Sequence, residues 1–296
     1  MAGVEPIFLS EMIKQPSFTS PYVLTESRIE AWVREGRGQG SGADYRPWLT
    51  VRNVKSRGRK HRMRGILHDR ILHLMSDLER NAVLHFETKS QVVDIREQVP
   101  LDREITRAIT KSMGVQHPMD PASKVEIIMT TDLLVTFRLA DGRLVSRAFS
   151  VKPAKDLLDT RVKEKQEIER RYWQRLGVRW KPMLDNILRD SPRFETIRWV
   201  RDWFYVDRVA GLDEAAWERR RRRVADALQT ADDMSVGEFT SSVAARGDFA
   251  AGEVLSTLRH LAARGLIGFD PVLGVPTLSS PLSRFSPLAD AWSLAA

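Results

Sequence analysis

Residues 129–154 read MTTDLLVTFRLADGRLVSRAFSVKPA, and the fold turns on this stretch. Two runs rich in Val, Leu, Phe and Thr flank Asp141-Gly142, a dipeptide that reverses the chain between strands. Strands are expected over 131–140 and 144–152, joined by a three-residue loop with Gly142 in the left-handed conformation. The register drawn from this loop sets Leu133 opposite Val151, Val135 opposite Phe149 and Leu139 opposite Val145. On the other face it sets Asp132 opposite Lys152 and Leu134 opposite Ser150. Cross-strand neighbours on one face lie about 5 Å apart. A two-residue loop would put Asp132 and Lys152 on opposite faces, because a one-residue slip turns over every side chain.

On either side of the hairpin, strand and helix patterns alternate. Residues 70–76 (RILHLMS) read as a strand and 77–87 (DLERNAVLHFE) as a helix, with Ser76 and Glu79 at capping-box spacing. A strand is expected over 92–101, a helix over 104–113, and a charged amphipathic helix over 156–176. This alternation defines an α/β domain. Upstream, 26–35 is a short amphipathic helix with Ile29, Trp32 and Val33 on one side. GRGQGSG at 36–42 lacks the Lys-Ser/Thr pair of a phosphate loop and reads as a flexible surface loop.

After about residue 185 the apolar positions recur at helical spacing, so a boundary is expected at 185–192, dividing the chain into 1–188 and 189–296. In the second part Ser235 and Glu238 open one helix. Val254, Leu255, Leu258, Leu261 and Ala262 line the next, leaving Glu253, Ser256, Thr257, Arg259 and His260 outward, and Gly265 ends it. Residues 266–269 and 275–278 are expected to pair as a wing. The fold class is therefore α/β for the first part and mainly helical, winged-helix-like, for the second.

Composition narrows the function classes. The 296 residues carry 47 Lys+Arg against 39 Asp+Glu, a net charge of +8, which favours a polyanionic partner. No apolar run approaches the roughly 20 residues of a membrane span, and a cytoplasmic protein is expected. The absence of cysteine excludes disulfides, thiolate zinc sites and a cysteine nucleophile. His61, His68 and His73 lack zinc-ligand spacing. The basic run at 55–64 offers Arg57, Arg59, Lys60 and Arg62 as contacts to DNA phosphates. A second run, Arg219–Arg223, suits phosphates or a docked partner equally.

An Asp beside a Lys on paired strands is ordinarily a surface ion pair. Glu79 alters that reading. A Glu on a helix, an Asp at the start of a strand and a Lys at the end of the next follow the order of the PD-(D/E)xK nucleases. Carboxylates of Glu79 and Asp132 suit Mg²⁺ or Mn²⁺, hard cations that prefer oxygen. Lys152 can orient a water or stabilise a developing anion. Ser150 stands where an acid or amide is usual, two residues before the lysine, so a metal role for it is weak. Glu167 and Glu169 are alternative donors, read first as helix-surface residues in i,i+4 pairs.

The strings GRGQGSGADYRPWLTV, HLMSDLER, VVDIREQVPL, HPMD with MTTDLLV, SVKPA and EIERRYW, in this order, resemble the TnsA transposon endonucleases over about residues 34 to 180. The resemblance implies a restriction-endonuclease-like N-terminal domain with Glu79, Asp132 and Lys152 catalytic. It also implies a winged-helix-like C-terminal domain, and cutting of double-stranded DNA at the 5′ transposon ends. The partners it implies are a TnsB-type DDE transposase and a TnsC-type AAA+ ATPase. The position of Ser150 carries glutamine in such relatives. A restriction or repair endonuclease of the same fold, and a catalytically inactive DNA- or protein-binding adaptor, remain as alternatives.

Overall fold

A computed structural model describes residues 23–54, 58–208, 211, 213–247 and 249–288. Helix α1 (Glu26–Arg34) is followed by strands β1 (His61–Arg64) and β2 (Ile71–Leu74), helix α2 (Asp77–Glu87), strand β3 (Val92–Pro100) and helix α3 (Arg103–Met113). The hairpin β4 (Thr130–Arg138) and β5 (Leu144–Lys152) comes next, then α4 (Thr160–Arg175), β6 (Arg179–Leu184), α5 (Asp185–Leu188) and α6 (Pro192–Arg201). The chain closes with α7 (Glu214–Gln229), α8 (Val236–Ala245), α9 (Ala251–Ala263), β7 (Ile267–Phe269) and β8 (Phe285–Pro287).

The central sheet has the order β3-β4-β5-β6. Its first three strands are antiparallel and β6 joins β5 in parallel. The crossover between β5 and β6 is α4, as a parallel pair requires. Leu133, Val135, Phe137 and Phe149 pack against Ala82, Val83 and Phe86 of α2. Leu134 and Ala148 pack against Ile109 of α3 and Ile168, Tyr172 and Trp173 of α4. The sheet is thus clothed by helices on both faces, and its polar end between α2 and α4 is where chemistry can be placed.

The hairpin loop has the three residues expected, closed by a hydrogen bond from the Leu139 amide to the Arg143 carbonyl, with Gly142 at φ +81°. The register drawn from it was two residues off. Leu133 faces Phe149 rather than Val151, and Val135 faces Arg147 rather than Phe149. Leu139 faces Arg143, because the loop occupies only residues 140–142. A shift of two preserves side-chain parity. Asp132 therefore falls level with Ser150, one rung from Lys152, and still meets the lysine.

Other expectations need correction. Strand β6 was not foreseen. The helix expected over 156–176 starts at Thr160, after a 3₁₀ turn over Ala154–Leu158. Val33 is 53% exposed, and Trp48 instead joins Ile29 and Trp32 beneath α1. The glycine-rich segment is pinned, not loose. Gly38 lies so close to the Pro100 ring that a Cβ would collide with it, and the Gly38 amide donates to the Arg46 carbonyl.

A second core gathers Val224 and Leu228 of α7, Phe239 and Val243 of α8, and Val254, Leu258 and Leu261 of α9. Helix α6 serves both cores: Phe194 and Ile197 enter the sheet's core and Trp199 the second. Ser235 caps α8 with the full capping box. The expected hairpin is different, since β7 pairs with β8 and not with 275–278. Thr257 and His260 are buried, not outward, and Arg259 stacks on Trp199 and Trp203, 4.0 and 4.5 Å from their ring centres. No helix among the described residues is long and apolar enough to cross a membrane.

Candidate active site

Each side chain of the site is brought by a separate element. Glu79 sits at the third position of α2. Ser76 caps that helix by accepting the Glu79 amide (3.1 Å), and the carboxylate folds back to accept from the Met75 amide (2.9 Å) and the Ser76 hydroxyl (3.2 Å). The helix N-terminus thus fixes the acid twice, through backbone and side chain. Asp132 lies near the start of β4. Its Oδ2 accepts from the Val151 amide (2.7 Å), Lys152 Nζ (2.8 Å) and, more distantly, the Ser150 hydroxyl (3.4 Å). Lys152 ends β5, and its ammonium also reaches its neighbour's carbonyl, Val151 O (3.1 Å). Of the predicted set, Asp132, Ser150 and Lys152 therefore meet at one end of the sheet, and Glu79 lies near enough for the charges of Asp132 and Lys152 to act on it.

Glu169 belongs there too, against the surface reading given to it. It is only 6% exposed, and its Oε1 accepts from the Thr131 hydroxyl (2.8 Å), which itself accepts from Trp173 Nε1 (2.6 Å). Glu167 does lie on the helix surface, bound by Arg170 and Arg171. A signal for Glu169 was present in the sequence: Ile168, Tyr172 and Trp173 at i−1, i+3 and i+4 mark its side of the helix as the buried one.

Burial, and then the charge of Asp132, push the Glu79 carboxyl up to about 7 despite the Met75 amide, Lys152 and Ser76. Burial and Asp132 do the same to Glu169, also to about 7, against the Trp180 indole, the Thr131 hydroxyl and Lys152. Burial lowers the Lys152 ammonium's proton affinity, but Asp132 outweighs it and the net direction is up. The charge of Asp132 thus acts on two buried acids, with one ammonium for relief, and a cation would ease that repulsion.

The donor set is oxygen throughout, as Mg²⁺ or Mn²⁺ requires. Among the described residues no three His, Cys, Asp or Glu side chains gather into a ready-made metal cage. Glu79 and Asp132 fit the commoner Mg²⁺ arrangement of one or two carboxylates completed by waters and substrate phosphate. His61 meets Asp77 (2.8 Å) and His68 meets the Val93 carbonyl (3.0 Å), and neither is bonded to Glu79, Asp132 or Lys152.

Of the basic residues singled out for DNA, Arg57 lies outside the described residues. Lys60 donates to the Val51 and Val54 carbonyls (2.6 and 2.9 Å). Arg59 and Arg62 are exposed, Arg59 at 3.9 Å from Asp77 at the start of α2. On α7, Arg220, Arg221 and Arg222 are held in ion pairs by Glu253, Glu214 and Glu218.

A mixed α/β protein with a carboxylate–lysine centre at one end of its sheet is the class these features define. The family described as TnsA-like endonuclease N terminal matches residues 89–185, which include Asp132, Ser150, Lys152 and Glu169 but not Glu79. Over 246 residues, 83% of this chain and 86% of the relative, the sequence is 37% identical to the transposon Tn7 transposition protein TnsA of Escherichia coli. The chain belongs to the TnsA family of transposition endonucleases.

Proposed function

We propose that this chain is a Mg²⁺-dependent DNA endonuclease subunit of a heteromeric transposase, hydrolysing phosphodiesters at the 5′ ends of a transposon. The observation that carries this reading is the Asp132–Lys152 contact with Glu79, from a third element, near enough to feel both charges, beside the buried Glu169. Glu79 and Asp132 would hold the metal, with Mn²⁺ as an alternative to Mg²⁺. When bound, the metal supplies Lewis-acid polarisation of the phosphate and a bound water of lowered pKa. Lys152 orients the attacking water or faces the charge developing on phosphate oxygens. Ser150 supplies a hydroxyl beside Asp132 and no charge. Glu169, anchored by Thr131, adds negative charge near Lys152 from the α4 side and so helps to keep its ammonium protonated.

The proposed division is a restriction-endonuclease-like catalytic unit over 1–188 and a winged-helix-like unit over 189–296, with α6 as the joint. Double-stranded DNA at the transposon ends is the substrate, and a TnsB-type DDE transposase and a TnsC-type AAA+ ATPase are the partners. Exposed Arg59 and Arg62 are the proposed phosphate contacts.

The test is nicking of end-containing DNA by the purified chain with its transposase partner and Mg²⁺. Cutting is expected at the 5′ ends only when metal is present. Burial and Asp132 raise the Glu79 carboxyl to about 7, so below that pH it is increasingly protonated and holds a cation poorly. As pH rises it ionises, so the rate at limiting Mg²⁺ should rise from pH 6 to 8. Absence of metal-dependent nicking with all partners present would favour the inactive adaptor.

A further inference from the structure

Gln98 sits two residues from the end of β3 with φ +50°, a conformation non-glycine residues rarely take, and glutamine has no special tolerance for it. Glu97 pairs with Leu133 and Val99 with Thr131. Gln98 therefore stands on the rung of Asp132, on the opposite side from Ser150. Its side chain is 3% exposed. The amide nitrogen donates to Glu79 Oε2 (3.2 Å), and the amide oxygen accepts from the Thr130 hydroxyl (3.2 Å). With a carboxylate at one end and a hydroxyl donor at the other, only this orientation of the amide satisfies both.

The backbone of Gln98 is held as firmly as its side chain. Its carbonyl accepts from the Trp48 amide (3.1 Å), and Tyr45 donates its hydroxyl to the preceding carbonyl, Glu97 O (3.1 Å). Trp48 is buried against Trp32, and Arg37 of the glycine-rich segment donates to the Trp48 carbonyl (3.3 Å). The segment from Gly36 to Trp48 thus clamps β3 where its backbone departs from regular extended geometry. A departure of this kind, over-determined by its surroundings and located at a site, points to function.

We infer that Gln98 is a positioning residue for the metal centre: its amide, fixed by Thr130 and by the clamped turn of β3, holds the Glu79 carboxylate in the orientation that shares a cation with Asp132. This rests on the reading of Glu79 and Asp132 as the metal-holding pair. Without the amide, Glu79 keeps its bonds to Met75 and Ser76 but loses the one that ties it to the sheet carrying Asp132.

The test uses the full chain and Mn²⁺ alone, read by calorimetry, with metal-free thermal melting as the control for folding. Gln98→Gly removes the amide and suits the positive φ, which offsets part of the cost of the cavity it leaves, so its metal-free melting should stay cooperative. Its Mn²⁺ affinity is expected to fall about 10-fold or more, the usual effect of removing a group that orients a metal ligand. Gln98→Asn tolerates the backbone but is one methylene short of Glu79, and should lose affinity likewise. Thr130→Val frees the amide to rotate and should weaken binding less, in the same direction. Wild-type binding abolished by Asp132→Asn but unchanged in Gln98→Gly would overturn the role of Gln98 and leave the metal pair standing. No Mn²⁺ binding by the wild type would overturn both.

Discussion

Replacing Asp132 by asparagine is expected to reduce 5′-end nicking by at least about 1,000-fold while leaving the fold intact. The side chain is nearly isosteric, so the Val151 amide can still bond to the amide oxygen at the old position of Oδ2. What is lost is the charge. Asp132 partners the Lys152 ammonium and is one of two acids proposed to hold the cation. A metal ion contributes several kcal/mol of transition-state charge stabilisation, and each 1.36 kcal/mol is a factor of ten in rate. Replacing Lys152 by alanine should abolish cutting as well. Loss of either charge also unbalances the other, so the double variant should be hardly worse than the more damaging single one. Gel assays of nicking, paired with circular dichroism to confirm folding, check this. Retention of more than about a tenth of the wild-type rate in Asp132→Asn would mean the carboxylate is not at the reacting centre.

Arg70→Leu should destabilise the chain by about 3–5 kcal/mol, the usual effect of removing one partner of a buried ion pair. Glu97 on β3 is 0% exposed, and Arg70 just before β2 grips it with Nη1 and Nη2, at 2.9 and 2.6 Å. The same guanidinium donates to the Ile95 carbonyl, and the His73 amide donates to Glu97 Oε1. Leucine would strand a carboxylate inside the protein. At about 2–4 °C per kcal/mol for a protein of this size class, a fall in melting temperature of roughly 6–20 °C is expected. Glu97 is the neighbour of Gln98, so the loss should also reach the catalytic end of the sheet. The pair Arg70→Leu with Glu97→Leu should recover much of the stability, because an apolar replacement of both partners is often neutral. A single Arg70→Leu variant that melts with the wild type would show that Glu97 finds another partner.

The hairpin was legible because its chemistry is local. Gly142 has to take a positive φ, and the apolar alternation on both sides fixes which residues share a face. The pairing differs by two residues, yet the grouping of Asp132, Ser150 and Lys152 survives, since it depends on parity alone. Glu79 was legible from the Ser76 cap, a signal confined to four residues. Glu169 was hidden by its neighbours: a helix studded with Glu, Lys and Arg reads as solvated, and one buried acid among them shows only through its spacing to Ile168, Tyr172 and Trp173. Strand β6 escaped because RWKPML mixes two charges and a proline with its apolar residues, as an edge strand tolerates. The hairpin of β7 and β8 spans residues 267–287, and nothing local in either short strand selects its partner. Gln98 and the Arg70–Glu97 pair depend on contacts between distant segments, which no periodicity reports.

The most direct measurement is anomalous diffraction from crystals of the chain soaked in Mn²⁺ above neutral pH. Manganese density is expected within coordinating distance of both the Glu79 and Asp132 carboxylates, next to the Lys152 ammonium, and absent in Asp132→Asn. Manganese found only at other positions, with Glu79 and Asp132 bound solely to their protein partners, would contradict the metal-dependent centre on which the proposed reaction depends.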